Sequence, residues 1–204
     1  KINEKLLANG KGLPAYILRS ENEIVQLGSQ LSEAEKQAEK IISDSSQIGT
    51  ALHLYIEHFV NKYAYEDLTT TGLKAKTMAQ VIIDHDEGLK KISEVWGCEV
   101  HLYYPGKYAG TADMIGVYNG RPSIMDFKQT NKPKKREWID DYFVQLAAYA
   151  NAHNEVHGTK IRKGVIFMCS ADNLYQEFIL EGSDFDKYSD IWFSRVEKYY
   201  EQFL

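Results

Sequence analysis

Residues 110–128 read Gly-Thr-Ala-Asp-Met-Ile-Gly-Val-Tyr-Asn-Gly-Arg-Pro-Ser-Ile-Met-Asp-Phe-Lys, and the way this stretch pairs with itself decides the fold. Two β-prone runs, 114–118 and 123–127, flank Asn119-Gly120. Asn-Gly between alternating apolar residues signals a two-residue hairpin, because a type I′ turn needs positive φ at both central positions. With those two residues as the loop, Tyr118 faces Arg121 and Val117 faces Pro122; further out, Asp113 faces Asp126. Pro122 then falls on a non-hydrogen-bonded pair, where its missing N–H costs the ladder nothing. Asp113 and Asp126 fall on another such pair, with Cβ atoms roughly 4.5–5.5 Å apart. Lys128, two residues beyond Asp126, projects from the same face.

Two carboxylates directly opposite repel each other. A divalent cation between them removes the repulsion, and hard oxygen ligands suit Mg²⁺ or Mn²⁺. The plain alternative is a pair of exposed edge-strand aspartates with a surface lysine. The residues around them have to choose between the two.

The helix expected over residues 51–65 carries Leu52, Tyr55, Ile56, Phe59 and Val60 at helical spacing. His53 and Glu57, four apart, share a face at the edge of that buried stripe; as a bare pair they also read as a surface contact. A capping box, Ser32 with Glu35, opens an earlier helix to about residue 43, ended by 44–47. Residues 1–31, broken by glycines and Pro14, read as an irregular lead-in, and Thr69–Gly72 as a loop. The pattern from Leu73 to Trp96 predicts one long helix with a weak point at 84–88, stopped by Gly97. A strand follows over 98–104, carrying Glu99, a candidate contact to the metal site. Lys132, Lys134, Lys135 and Arg136 form a basic run just past Lys128 and are candidate phosphate contacts. The helix over 137–157 places Gln145 and Tyr149 on one face. Strands at 163–170, apolar throughout like a strand buried on both faces, and 175–180 precede a final helix, 184–203, capped by Ser183.

The chain has 204 residues, 44% of them hydrophobic, with 14 tyrosines and a net charge of −5. That length suits a single domain with a core of its own, divided as an N-terminal part (1–48), a core (49–170) and a C-terminal strand and helix (171–204). The negative total argues against a protein that coats nucleic acid by bulk charge, though not against a local basic groove. No apolar run reaches a membrane span and no secretory signal stands out, so an intracellular setting without a membrane partner is expected. The first residue is Lys, so the native start is expected to lie outside these residues. Cys98 and Cys169 stand far apart, fitting a reducing compartment and disfavouring cysteine-ligated zinc or a four-cysteine iron–sulfur cluster.

Helix, three strands, helix, strand, with Asp…Asp-x-Lys on strands two and three, resembles the PD-(D/E)XK nuclease superfamily in its RecB-like branch. Within that branch the chain is most similar to mitochondrial genome maintenance exonucleases and related phage exonucleases. The resemblance is carried by Gly49-Thr-Ala-Leu-His53, Gly110-Thr-Ala-Asp113, Asp126-Phe-Lys128 and Gln145-Leu-Ala-Ala-Tyr149. It implies a mixed α/β fold, with a central mixed sheet in an αβββαβ restriction-endonuclease-like core, extra N-terminal helices and a C-terminal helix. It further implies a DNA exonuclease dependent on one or two Mg²⁺ or Mn²⁺ ions. Its substrate would be single-stranded DNA or DNA with free ends, and its setting replication, recombination or repair. That setting would be a bacterial or phage-infected cytoplasm, or the mitochondrial matrix. His53, Asp113, Asp126 and the Phe127 carbonyl would ligate metal, and Lys128 would position or activate water. Glu57, Gln145 and Tyr149 would support substrate or lysine. Two departures stand out: Ala112 replaces the name-giving Pro, and the four cysteines of the iron–sulfur members are missing.

Overall fold

A computed structural model describes the backbone of residues 21–203 and the side chains of residues 32–203. The chain divides into two compact units, 1–44 and 45–204. The first unit contributes the beginning of helix α1 (Glu21–Val60), and its side chains from 32 to 44 are exposed.

The second unit is built on a five-stranded mixed sheet with helices packed on both faces. After α1 come α2 (Thr70–Asp84), β1 (Ile92–Tyr104), β2 (Tyr108–Tyr118), β3 (Arg121–Thr130), α3 (Asp140–His157), β4 (Gly164–Ser170), β5 (Tyr175–Leu180) and α4 (Ser183–Glu201). The strands lie in sequence order; all neighbours are antiparallel except β3 and β4, which run parallel across α3. A parallel pair needs such a crossover, because a tight turn can only return the chain antiparallel. This is the mixed α/β architecture expected from the sequence.

Alternation along the strands divides the core in two. Met125, Phe127, Val165, Phe167 and Cys169 point to the face covered by residues 48–56 of α1 and by α2. Ile124, Ile166 and Met168 point to the face covered by α3 and α4. All seven residues of β4 are buried, as the uninterrupted apolar run predicted. Asn119 and Gly120 have φ of 48° and 73°, and Met114 pairs with Met125 through to Tyr118 with Arg121. The hairpin therefore takes the register read from its turn.

Five sequence expectations are corrected. Residues 21–31, expected to be irregular, are helical, and so is the supposed break at 44–47. The polar run there is compatible with helix because its side chains need no buried face. The expected helix to residue 65 stops at Val60. The 69–72 loop is instead the start of α2, where the Thr69 side chain caps the helix by accepting from the Gly72 N–H at 3.0 Å. The long helix to Trp96 ends at Asp84, and 92–96 form the first part of β1. There the edge of a sheet was available, and bulges at 92–94 and 95–97 absorb the irregular spacing. No helix among the described residues is long and apolar enough to cross a membrane.

Candidate metal centre

Three acidic residues line up across the first three strands. Cys98 pairs with Met114 and Val100 with Ala112, so Glu99 lies across from Asp113. Glu99 has a φ of 49°, a left-handed conformation rare inside a strand. The register of β2 and β3, continued past Met114 and Met125, would bring Asp113 opposite Asp126, but the ladder opens first. In its place Asp113 Oδ2 accepts the Phe127 N–H at 2.8 Å. The carboxylate thus stands in for a backbone acceptor, and the simple face-to-face pair expected from the register is corrected to this staggered arrangement.

Helix α1 brings an imidazole onto the row. Leu52 and Ile56, both 0% exposed, anchor the helix on the sheet and hold His53 between them at the boundary of the core. His53 Nε2 donates to the Phe127 carbonyl at 2.7 Å, which fixes the proton on that nitrogen because a carbonyl only accepts. The same nitrogen is 3.7 Å from Asp113 Oδ2, while Nδ1 is 3.9 Å from Glu99 Oε1. Ligand atoms of His53, Glu99 and Asp113 all lie within 4.8 Å of one another, a spacing able to hold a metal ion.

Asp126 and Lys128 sit beside this trio, on the α3 side of the sheet. Asp126 is 2% exposed. Lys128 Nζ is 2.7 Å from both of its carboxylate oxygens, but only Oδ1 receives it in a hydrogen-bonding direction. Oδ2 is buried and accepts from no donor among the described residues. Burial pushes the Asp126 carboxyl up, to about 6, with the Asp113 charge adding and the Lys128 ammonium opposing. For Lys128 burial works downwards, yet the carboxylates of Asp126 and Asp113 outweigh it and the net direction is upward. Lys128 is thereby held as an ammonium.

The remaining predicted residues divide. Glu57 lies near Cys98: burial, helped by the charges of Glu57 and Glu99, pushes that thiol up to about 11. Gln145 Nε2 donates to the Tyr149 hydroxyl at 3.0 Å. The Tyr149 ring lies against Gly110 so closely that a Cβ there would come within 2.6 Å of it. Among the described residues neither bonds to Lys128; the ring facing its ammonium belongs to Tyr142, at 5.2 Å. In the basic run, Arg136 is committed internally. It donates to the Ile179 carbonyl and to Asp184, both at 3.0 Å, and lies 4.2 Å over the Phe143 ring. The backbone of Lys134 is clamped by the Gln176 amide at 2.7 and 2.9 Å. Lys132 and Lys135 are exposed.

Two participants are faint in the sequence. Glu99 is a bare candidate there, although the short Pro105-Gly106-Lys107 connection between Tyr104 and Tyr108 fixes its register opposite Asp113. Tyr142, one helical turn before Gln145, carried no signal beyond its spacing.

No protein-family model matches this chain, and no curated protein matches it. Among solved structures it is similar to a crystal structure from Eubacterium rectale named "Putative exonuclease", with a TM-score of 0.55 and 16% sequence identity. The match covers 78% of this chain, which in turn spans 65% of the length of that one. At that identity the likeness is one of fold.

Proposed function

We propose that this chain is a metal-dependent DNA exonuclease of the PD-(D/E)XK kind, hydrolysing phosphodiester bonds in replication, recombination or repair. The observation that carries this reading is the buried Asp126 carboxylate, ion-paired with Lys128 but with one oxygen outside any hydrogen bond among the described residues, next to the cluster of His53, Glu99 and Asp113. Burying carboxylates together is unfavourable unless a cation accompanies them. One imidazole among several carboxylate oxygens and a backbone carbonyl suits Mg²⁺ or Mn²⁺. The donor set therefore fits the ion that the resemblance implies.

His53, Asp113, Asp126 and the Phe127 carbonyl, joined by Glu99, would hold the metal. Such an ion, when bound, supplies a Lewis acid at the phosphoryl oxygen and makes a bound water more acidic. The chain itself provides the rest. Lys128, kept as an ammonium, donates to the attacking water or a phosphoryl oxygen and offsets negative charge developing in the transition state. A lysine that stays protonated orients water better than it deprotonates it, which favours that role over the base role. The water oxygen attacks phosphorus, the bond from phosphorus to the leaving sugar oxygen breaks, and that oxygen takes a proton. Glu57, Gln145 and Tyr149 would shape the walls, and Lys132, Lys134 and Lys135 would meet the phosphates of the strand.

The test is digestion of end-labelled linear, circular and single-stranded DNA with Mn²⁺ or Mg²⁺, and again with EDTA. Linear DNA should shorten from its ends, circles should survive, and EDTA should stop the reaction. Lys128→Met should leave folded protein that cuts at least roughly 100-fold more slowly, the scale of losing one charge-stabilising donor. Cleavage of circles would make the enzyme an endonuclease of the same fold. DNA binding without cleavage would make it a non-catalytic nucleic-acid module. Native-rate cleavage in EDTA or by Lys128→Met would sink the assignment.

A further inference from the structure

At the hairpin end of the sheet, the start of β3, the approach to β4 and the exit from β5 enclose a pocket of about 320 Å³. Arg121, which lines it, precedes Asp126 by five residues on an extended strand, which sets the two roughly 17 Å apart. Four cations line the pocket, Arg121, Lys160, Arg162 and Lys163, with Glu181 their one acidic neighbour in the lining. Glu181 is shared between Arg121 at 3.5 Å and Lys163 at 3.9 Å, and Asp186 holds Arg162 at 2.7 Å. Two carboxylates against four cations leave positive charge unbalanced here, in a chain whose total is −5.

Lys163 is the informative member, because it is only 6% exposed. Its ammonium stands 5.2 Å from the centre of the Tyr118 ring and makes no hydrogen bond among the described residues. An ammonium has three donors, and here an aromatic face and a carboxylate at 3.9 Å are its neighbours, with its stem buried and its head at the pocket. A compact group with several acceptor oxygens and at least one negative charge suits those donors and the excess of cations around them.

We propose that this pocket is an oxyanion site taking a phosphate group, with Lys163 as its buried contact and Lys160 and Arg162 as its outer ones. A tetrahedral phosphate offers acceptors to all three side chains at once, and guanidinium and ammonium groups are its usual partners. The site stands apart from the carboxylate row and does not rest on the nuclease reading. The phosphate arrives either on a free nucleotide or within a nucleic-acid strand.

Calorimetric titration of the full chain with inorganic phosphate, with dAMP and with a short oligonucleotide tests this, in EDTA and against chloride at matched ionic strength. EDTA removes divalent ions, so failure of the metal centre and failure of this site remain distinguishable. At least one of the three probes should bind beyond the chloride control. Lys163→Met, which keeps the volume and removes the charge, should weaken that binding roughly tenfold or more, the scale of a charge-assisted hydrogen bond. The exposed double variant Lys160→Gln/Arg162→Gln should do the same, and covers the case in which Lys163→Met does not fold. Binding of phosphate or dAMP identifies a small-molecule source, and binding of the oligonucleotide alone identifies a strand. No binding above chloride, or binding unchanged in the folded variants, overturns the proposal.

Discussion

Asp126 concentrates the electrostatic tension of the molecule. Its carboxyl is buried, held above its ordinary value, and hydrogen-bonded among the described residues at one oxygen only. A carboxyl with a raised folded pKa binds its proton more tightly in the folded state. Its contribution to stability is therefore fully present below the unfolded value, near 3.8, and is lost as pH climbs towards about 6. Asn at this position is neutral throughout, so the stability of Asp126→Asn relative to the parent, lowered by a constant amount for the lost Lys128 ion pair, should climb as pH rises across that window. The rise of the variant relative to the parent with pH is read from urea unfolding at several pH values with EDTA present. A difference that stays flat from pH 4 to 6 would mean that burial does not govern this group. Lys128 shows the opposite balance: its charge is retained because two carboxylates surround it, which suits the donor's role proposed for it.

At the scale of elements, the site depends on one turn and one helix. The turn at Asn119-Gly120 fixes which residues of β2 and β3 face each other, and Gly120 holds a φ of 73°. A β-branched side chain there must enter the left-handed region at a cost of about 1–2 kcal/mol. Gly120→Val should lower unfolding free energy by that amount, measured by urea denaturation, and unchanged stability would show that the turn tolerates another geometry. The helix acts by packing: Leu52 and Ile56 are fully buried on the sheet, and His53 reaches Phe127 and Asp113 because of them. The β1–β2 connection completes the row, since a three-residue loop with Gly106 at φ 68° brings Glu99 opposite Asp113.

For the whole molecule, the sheet joins candidate ligands that are far apart in sequence: His53 from a helix, Glu99, Asp113 and Asp126 from three strands. A metal bound to them should tie these elements together and raise the folding stability by linkage. At one hundred times its dissociation constant an ion contributes about 2.7 kcal/mol, or a rise of about 5–10 °C in Tm for a chain of this size. Mn²⁺ should produce such a rise in the parent and none in Asp113→Asn, followed by thermal unfolding. An equal rise in both proteins, or in neither, would remove the metal centre.

The sequence alone determined what depends on neighbours along the chain. Asn119-Gly120 dictated the hairpin and its register, the apolar run 164–170 dictated a strand buried on both faces, and the spacing of Leu52, Ile56 and their neighbours dictated a packed helix. It also supplied Asp113, Asp126, Lys128 and His53 as candidates, since turn geometry and periodicity are local properties. Tertiary structure decided the rest. Residues 92–96 became strand because a sheet edge was there to pair with them, against a helical spacing that local pattern alone favoured. The Asp113 carboxylate turned to the Phe127 N–H because the ladder opened beside it. Arg136, one of a basic run in the sequence, was drawn to Ile179, Asp184 and Phe143, while Lys163, unremarkable in the sequence, ended with its stem buried beside Tyr118. Burial and partners across a sheet are set by which elements meet, and no window of the sequence contains both sides of such a meeting.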